Sequence, residues 1–339
     1  GRILITGQKI KRRDYVKYVS ISALAGALGI FLGTFKVWRS DHHPPSAMVP
    51  PSQIPPHIPS RIGESVVSIS RLDSDDEIER VVQKSLDAIG GLGKLISPGK
   101  RVVVKPAVLT SDRYCAPDPR VVAAVVKLVR EFGGKVTVAE SSGRGSSTAY
   151  NLSHVGITSA AEEAGAEVKS LDDEKPIRVE VPSGVSLREV LVYPTVLNSD
   201  VLISVPRLKR HISTTVTISL KNMMGAIPNS EKGRFHTLDL SQSIADLNTV
   251  IRPDISVIDG TSAMVRSGPT GGDMIKSKII IASEDPVAAD RIAALKLQEI
   301  EDEVGVPSRY RFDAASIRHI IAAGELGVGK CNLESIRII

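Results

Sequence analysis

Short runs of aliphatic and β-branched residues recur along this chain, separated by segments long enough to hold helices. RVVVK occupies Arg101–Lys105, KVTVA Lys135–Ala139, VLISV Val201–Val205, ISVI Ile255–Ile258 and KIIIA Lys278–Ala282. Between the first two, Asp118-Pro119 opens a helical stretch of about a dozen residues that stops before Gly133-Gly134. Strand, loop, helix and strand in that order is the signature of a parallel sheet with right-handed crossovers. Aromatic residues are only 4% of the chain, so the core must rest on Val, Ile, Leu and Ala. That composition favours parallel strands covered by helices over an aromatic-rich sandwich.

The folded body is expected to begin near Glu64, with ESVVSIS as a first strand. Asp75–Ala88 then reads as a helix whose first turn, Asp75, Asp76 and Glu77, suits the positive end of the helix dipole. The expected fold is α/β, a mostly parallel sheet flanked by helices, preceded by one N-terminal transmembrane helix.

That last element comes from the amino terminus. Lys9, Lys11, Arg12, Arg13 and Lys17 precede Val19–Phe35, which carries no charge. Its length is at the lower edge for crossing a bilayer of about 30 Å. The pattern KRRDYVK resembles a twin-arginine signal, with Tyr15 and Val16 where Phe and Leu are usual. A basic flank held in the cytoplasm places the body outside it. From Asp41 to Arg61 lie seven prolines, a run expected to stay out of helix and sheet and to act as a semi-rigid spacer. The expected organisation is therefore an anchor over 1–40, a linker over 41–61 and an α/β domain over 62–339.

Net charge is +5, yet residues 1–61 hold nine Lys/Arg against two Asp/Glu and the remainder 34 against 36. The basic excess belongs to the amino terminus, and no basic footprint with stacking aromatics marks the body. No nucleic-acid partner is expected.

The chemistry concentrates in VPRLKRHISTTVTISLKNMMGAIP, where Lys209, His211, Lys221 and Asn222 fall within fourteen residues between apolar runs. Folding alone does not require two lysines, a histidine and an asparagine there. In parallel α/β sheets ligands sit outside the carboxyl ends of the strands. Lys105, Glu140, Lys209, His211, Asp259 and Asp285 all stand at such ends. Asp285-Pro286 also reads as a helix N-cap followed by proline at the first position, and Asp259-Gly260 as a common turn pair. The glycine/serine loop ESSGRGSS, with Ser141, offers backbone N–H groups to a phosphate but matches no P-loop or dinucleotide fingerprint. His236, in GRFHTLD, reads equally as a helix-end residue and as a site residue.

These motifs carry a resemblance. Residues 64–330 resemble the family called domain of unknown function 362, through VVVKPAVL (Lys105, Pro106), PDP (Asp118, Pro119), VTVAESS (Glu140), VPRLKRH (Lys209, His211), SLKNMMGAIP (Lys221, Asn222, Gly225), VIDGT (Asp259), SGPTGG (Gly268, Pro269) and SEDPVAAD (Asp285, Asp290). Many relatives are described as iron–sulfur proteins with an added ferredoxin-like segment, and twin-arginine-type leaders occur among them. Here Ala107 replaces the asparagine usual after Lys-Pro, and Cys115 and Cys331 are the only cysteines. A cubane cluster needs about four thiolates, so no iron–sulfur cluster is expected in this chain.

The amino-terminal run, the clustered lysines and histidine and the resemblance together lead to the expectation of a membrane-tethered protein that binds a small anionic ligand, a divalent metal or a redox cofactor. The resemblance also implies an electron-transfer or cofactor-bearing protein partner. Lys221, His211 and Lys209 are the candidate catalytic residues; Lys105, Asp118, Glu140, Ser141, Asn222 and Asp259 are the candidate ligand-binding residues. His211 and His236 are the candidate metal ligands. The order His211, Lys221, His236 is also similar to that of nickel-pincer racemases of hydroxy acids, which implies an enzyme. ESSGRGSS lacks the further histidine those enzymes place after the next strand. A non-catalytic tethered interaction module is the third reading.

Overall fold

The computed structural model describes residues 63–143 and 147–339, together with the backbone of 2–5, 8–11 and 48–49. The chain divides into two compact units, 1–46 and 47–339. In the first, β1 (Arg2–Ile5) and β2 (Gln8–Lys11) pair antiparallel, Arg2 opposite Lys11. Val19–Phe35 and the Arg12-Arg13 pair lie outside the described residues. Among the described residues no helix is long and apolar enough to cross a membrane.

The second unit begins with a departure from expectation. Two residues of the proline-rich segment, β3 (Met48–Val49), do join a sheet. They lie between Pro45 and Pro50 and keep their own N–H groups, which is what a ladder needs. Their partner is β8 (Ile177–Glu180), in parallel, and β8 pairs in turn with β9 (Glu189–Val192).

The main sheet has eleven strands among the described residues. Its strands are β4 (Ser65–Arg71), β5 (Arg101–Pro106), β6 (Lys135–Glu140), β7 (Glu167–Ser170), β10 (Val201–Val205), β11 (Arg207–His211), β12 (Thr215–Val216), β13 (Ile255–Val265), β14 (Asp273–Ile275), β15 (Ile279–Ser283) and β16 (Ile336–Ile338). The main path runs β16-β4-β15-β13-β10-β5-β6-β7. Along it only β15 pairs antiparallel with its neighbours, so the expected mostly parallel sheet is what forms.

Ten α-helical segments follow in chain order among the described residues: α1 (Ile78–Ala88), α2 (Pro119–Glu131), α3 (Thr148–His154), α4 (Ile157–Glu163), α5 (Pro194–Leu197), α6 (Ser219–Asn222), α7 (Asn229–Thr237), α8 (Leu240–Asn248), α9 (Pro286–Glu303) and α10 (Arg318–Glu325). Side chains alternate across each strand. Val102 and Val104 therefore pack in the layer with Val81, Leu86, Val122 and Val125 of α1 and α2. Val103 packs in the opposite layer with Ile244 of α8, Val287 of α9 and Ile320 of α10. Burying each such side chain is worth about 1.5–3 kcal/mol, so both faces of the sheet are committed to core.

One strand is much longer than its sequence suggests. Asp259-Gly260 reads as a turn, yet β13 runs on to Val265. Gly260 is needed because the strand backbone passes β15 closely: a Cβ there would stand 2.9 Å from the Ile279 carbonyl oxygen. The extension of β13 carries β11 above the sheet, with Arg207 opposite Asp259 and Lys209 opposite Met264. This second storey, raised beyond the carboxyl ends of β5, β6 and β10, positions the site.

Candidate functional site

The floor is a buried ion pair. Lys105 closes β5 and Glu140 closes β6; both are almost wholly inaccessible, and Lys105 Nζ donates to Glu140 Oε2 at 2.6 Å. The other ammonium hydrogens go to Asn222 Oδ1 at 3.0 Å and the Pro106 carbonyl at 3.1 Å. Glu140 also accepts the backbone N–H groups of Val108 and Ser141. Asn222 Nδ2 donates to the Lys105 carbonyl and to Ser204 Oγ. Burial draws the Lys105 amine down and the Glu140 carboxyl up, and the contact between them opposes both shifts. Gly225 lies directly against this pair. A Cβ at that position would collide with Glu140 Oε1 and Lys105 Nζ, so glycine is required by close approach.

Above the floor lies a cavity of about 330 Å3. β11 contributes Lys209 and His211, α6 contributes Lys221 and Asn222, α7 contributes Lys232 and His236, and the loop after β6 contributes Ser141 and Ser142. Ala107, Val108, Leu109, Met224 and Pro269 supply an apolar wall. Placing Lys221 depends on a residue far along the chain, in a helix that packs in the same core layer. The Asp290 carboxylate in α9 accepts the N–H groups of Ser219 at 2.8 Å and Leu220 at 3.0 Å, capping the single turn that carries Lys221 and Asn222. Burial pushes the Asp290 carboxyl up to about 7.

The lysines of the cavity share one electrostatic condition. Lys209, Lys221 and Lys232 are each drawn down to about 8, chiefly by burial. For Lys221 the ammonium groups of Lys209 and Lys232 add to that effect. Lys209 donates to the Cys115 carbonyl at 2.5 Å. Lys232 donates to the carbonyls of Ser141 and Ser142 and to Ser141 Oγ. Ser141 Oγ passes the chain on to Asp172, which also receives Thr148 and Tyr193. Among the described residues, the hydrogen-bond contact of Lys221 Nζ is the Met224 sulfur, at 3.7 Å.

His211 is held neutral. Burial first, and then Lys221 and Lys209, push it down to about 2. Its Nδ1 accepts the N–H groups of Ser213 and Thr214 at 3.0 and 3.3 Å. The ring hydrogen therefore sits on Nε2, which makes that nitrogen a donor. A metal-ligating histidine needs the reverse: a lone pair toward the metal and a hydrogen given to an outer acceptor. The described residues also hold no group of three or more His, Cys, Asp or Glu side chains placed for a metal ion. With Nδ1 engaged by the backbone, His211 presents an N–H rather than a lone pair at Nε2 in this arrangement.

Of the residues singled out in the sequence, Glu140, Ser141, Lys209, His211, Lys221, Asn222 and His236 line one cavity, and Lys105 supports it from below. Asp118 and Asp259 are not part of it. Asp118 caps α2 and binds Arg120, while Asp259 accepts the Asp118 N–H at 2.7 Å and pairs with Arg207 at 3.2 Å. Because β13 does not stop at Asp259, that side chain is locked between β11 and the start of α2 instead of facing the rim. Asp285 is the N-cap of α9.

Sequence reasoning missed Lys232 and His319. Lys232 stands four residues before His236, one helical turn, and that spacing was the available signal. His319, in α10, is fully buried, and neither ring nitrogen has a hydrogen-bond partner among the described residues. Burial and Lys221 draw it down to about 3.

An α/β protein with a cation-lined cavity at the carboxyl ends of its strands is the class that fold and geometry define. Residues 102–295 match the family described as domain of unknown function (DUF362). The chain is 31% identical over 224 residues to the thylakoid-associated protein sll1697 of Synechocystis sp. (strain ATCC 27184 / PCC 6803 / Kazusa), covering 63% of this chain and 68% of that protein. This chain belongs to the DUF362 family. Among solved structures it is similar to the lactate racemase apoprotein from Thermoanaerobacterium thermosaccharolyticum, at a TM-score of 0.40 and 12% identity, covering 71% of this chain and 57% of that one.

Proposed function

We propose that this protein binds a small anionic molecule in the cavity above the Lys105–Glu140 pair. The observation that carries the reading is the charge imbalance. Lys209, Lys221 and Lys232 line the cavity with Lys105 beneath, and Glu140, the carboxylate among the described lining residues, is already engaged by Lys105. Crowded, desolvated ammonium groups are costly until an anion neutralises them. His211 Nε2–H adds a neutral donor, and Val108, Leu109 and Met224 hold water away from the ligand's uncharged part. The proposal includes a tether through Val19–Phe35 and, as the resemblance implies, a separate electron-transfer or cofactor-bearing partner.

The test is ligand-dependent thermal stabilisation by phosphate, sulfate and short carboxylates, beside elemental and small-molecule analysis of the natively purified protein. A ligand that binds only the folded state raises Tm with concentration. Wild type should respond to at least one of these anions at millimolar concentration, and Lys221→Met should not respond while melting, without ligand, no lower than wild type. A wild-type protein indifferent to all of them, and carrying no co-purified anion, would overturn the reading.

A further inference from the structure

The four lysines at this cavity are not equivalent. Lys105 gives hydrogens to Glu140, Asn222 and the Pro106 carbonyl. Lys232 donates three times to Ser141 and Ser142, and Lys209 donates to the Cys115 carbonyl. Among the described residues, Lys221 is directed at no oxygen. Its Nζ lies against the Met224 thioether, a weak acceptor that does little to hold an ammonium ion. Its neighbours Lys209 and Lys232 repel a positive charge there, and Met224 and the apolar wall leave the side chain half-buried. The placement favours the neutral amine, whose nitrogen carries a free lone pair.

We propose that Lys221 is a carbonyl-binding nucleophile, whose amine forms a Schiff base with a small aldehyde or ketone that also bears a carboxylate or phosphate. The inference rests on the anion-binding reading and names the reacting group of the ligand. The Nζ lone pair adds to the carbonyl carbon, and the carbonyl π pair moves to oxygen. The two hydrogens of the neutral amine leave with that oxygen as water, and a C=N bond remains. No oxidant or reductant is consumed. His211 Nε2–H is a donor in the same cavity for the developing hydroxyl, and the ammonium groups of Lys209 and Lys232 remain for the ligand's anionic group. A desolvated lysine beside other cations is the recurrent setting of such nucleophiles.

Supporting this geometry, the Lys221 amine is drawn down to about 8 from the ordinary 10.5. About half of it is therefore neutral at pH 8, against well under one part in a hundred for an ordinary surface lysine.

The experiment is reductive trapping on the whole protein with sodium cyanoborohydride. The probes are glyoxylate (aldehyde and carboxylate), pyridoxal 5′-phosphate (aldehyde and phosphate) and benzaldehyde (no anion). Peptide mass spectrometry locates the adduct, and thermal stabilisation by inorganic phosphate is measured in parallel. The expected result is one adduct per chain at Lys221 with an anionic probe. Phosphate should protect against it, benzaldehyde should give at least tenfold less, and the labelling rate should rise with pH about a midpoint near 8. Which anionic probe labels faster tells carboxylate from phosphate. Lys221→Arg, which keeps a long basic side chain but has no primary amine, should lose the adduct.

Labelling spread over exposed lysines without phosphate protection overturns the proposal. So does an unlabelled Lys221 in a protein that phosphate still stabilises, an outcome that leaves the anion-binding reading standing. Loss of both adduct and stabilisation in wild type removes both.

Discussion

Lys105 and Glu140 show why a site of this kind begins with charge neutralisation. Each is inaccessible to water, and each has a full set of partners, so the pair is tolerable where either alone is not. Lys105→Met would strand the Glu140 carboxylate, and removing one member of a buried pair typically costs about 3–5 kcal/mol. We expect a large fall in the chemical-denaturation midpoint for Lys105→Met, and partial recovery when Glu140→Gln is added. If Lys105→Met unfolds at the wild-type midpoint, the pair is not the floor described. The lysines above it give a pH dependence. Lys209, Lys221 and Lys232 bind a proton less tightly in the folded state than in the unfolded chain. Between about 8 and 10.5 the unfolded chain therefore holds more protons, and the ligand-free protein gains stability as pH rises through that window. Anion binding needs the charged forms, so stabilisation by phosphate should fade as pH climbs past about 8, read from paired melting curves. Stabilisation that is flat from pH 7 to 10 would exclude these amines as the anion's partners.

At the scale of elements, the turn α6 is too short to place itself. Four residues make at most one intrahelical bond, and nucleation is unfavourable. Its geometry is imposed from outside by Asp290 and by Ser219 Oγ against Ser256 Oγ at 2.6 Å. Asp290→Ala would leave two buried N–H groups without acceptors, each costing about 1–3 kcal/mol. Lys221 and Asn222 would move with them. Asp290→Asn keeps an acceptor oxygen and should fall between. Anion binding and stability should decline together in the order wild type, Asn, Ala; full binding by a folded Ala variant would show that the turn holds itself. Burial raises the Asp290 carboxyl to about 7, so the folded state binds this proton more tightly than the unfolded chain. Its contribution to stability is present at low pH and declines as pH rises from about 4 to 7.

Across the whole molecule, two apolar layers clamp a sheet whose carboxyl ends open at one rim, and the extended β13 raises β11 above it. Nothing in that body states where it resides. The basic flank, Val19–Phe35 and the prolines predict a body outside the cytoplasm, and replacing Arg12 and Arg13 with lysines should block export if the twin-arginine route is used. Protease added to intact spheroplasts should digest the body. Protection in intact spheroplasts, with digestion after lysis, would refute that topology.

The sequence by itself determined the periodic elements and marked the polar cluster that lines the cavity. Runs such as VLISV are strands wherever they pack, because β-branched residues crowd a helix and suit a pleated, buried surface. Asp118-Pro119 and Asp285-Pro286 announce their helices because capping is a local bond, and both do cap. Lys209, His211, Lys221 and Asn222 were legible because polar groups between apolar runs need a reason. Only the tertiary structure decided which carboxylate belongs to the site. Glu140 and Asp259 both stand near strand ends in the sequence, but the continuation of β13 turns Asp259 to Arg207 and leaves Glu140 on the floor. The placements of Lys232 and Asp290 were likewise decided by contacts between residues far apart in the chain. Spacing along a strand or helix carries information over one or two turns, whereas desolvation and charge are fixed by whatever the fold brings alongside.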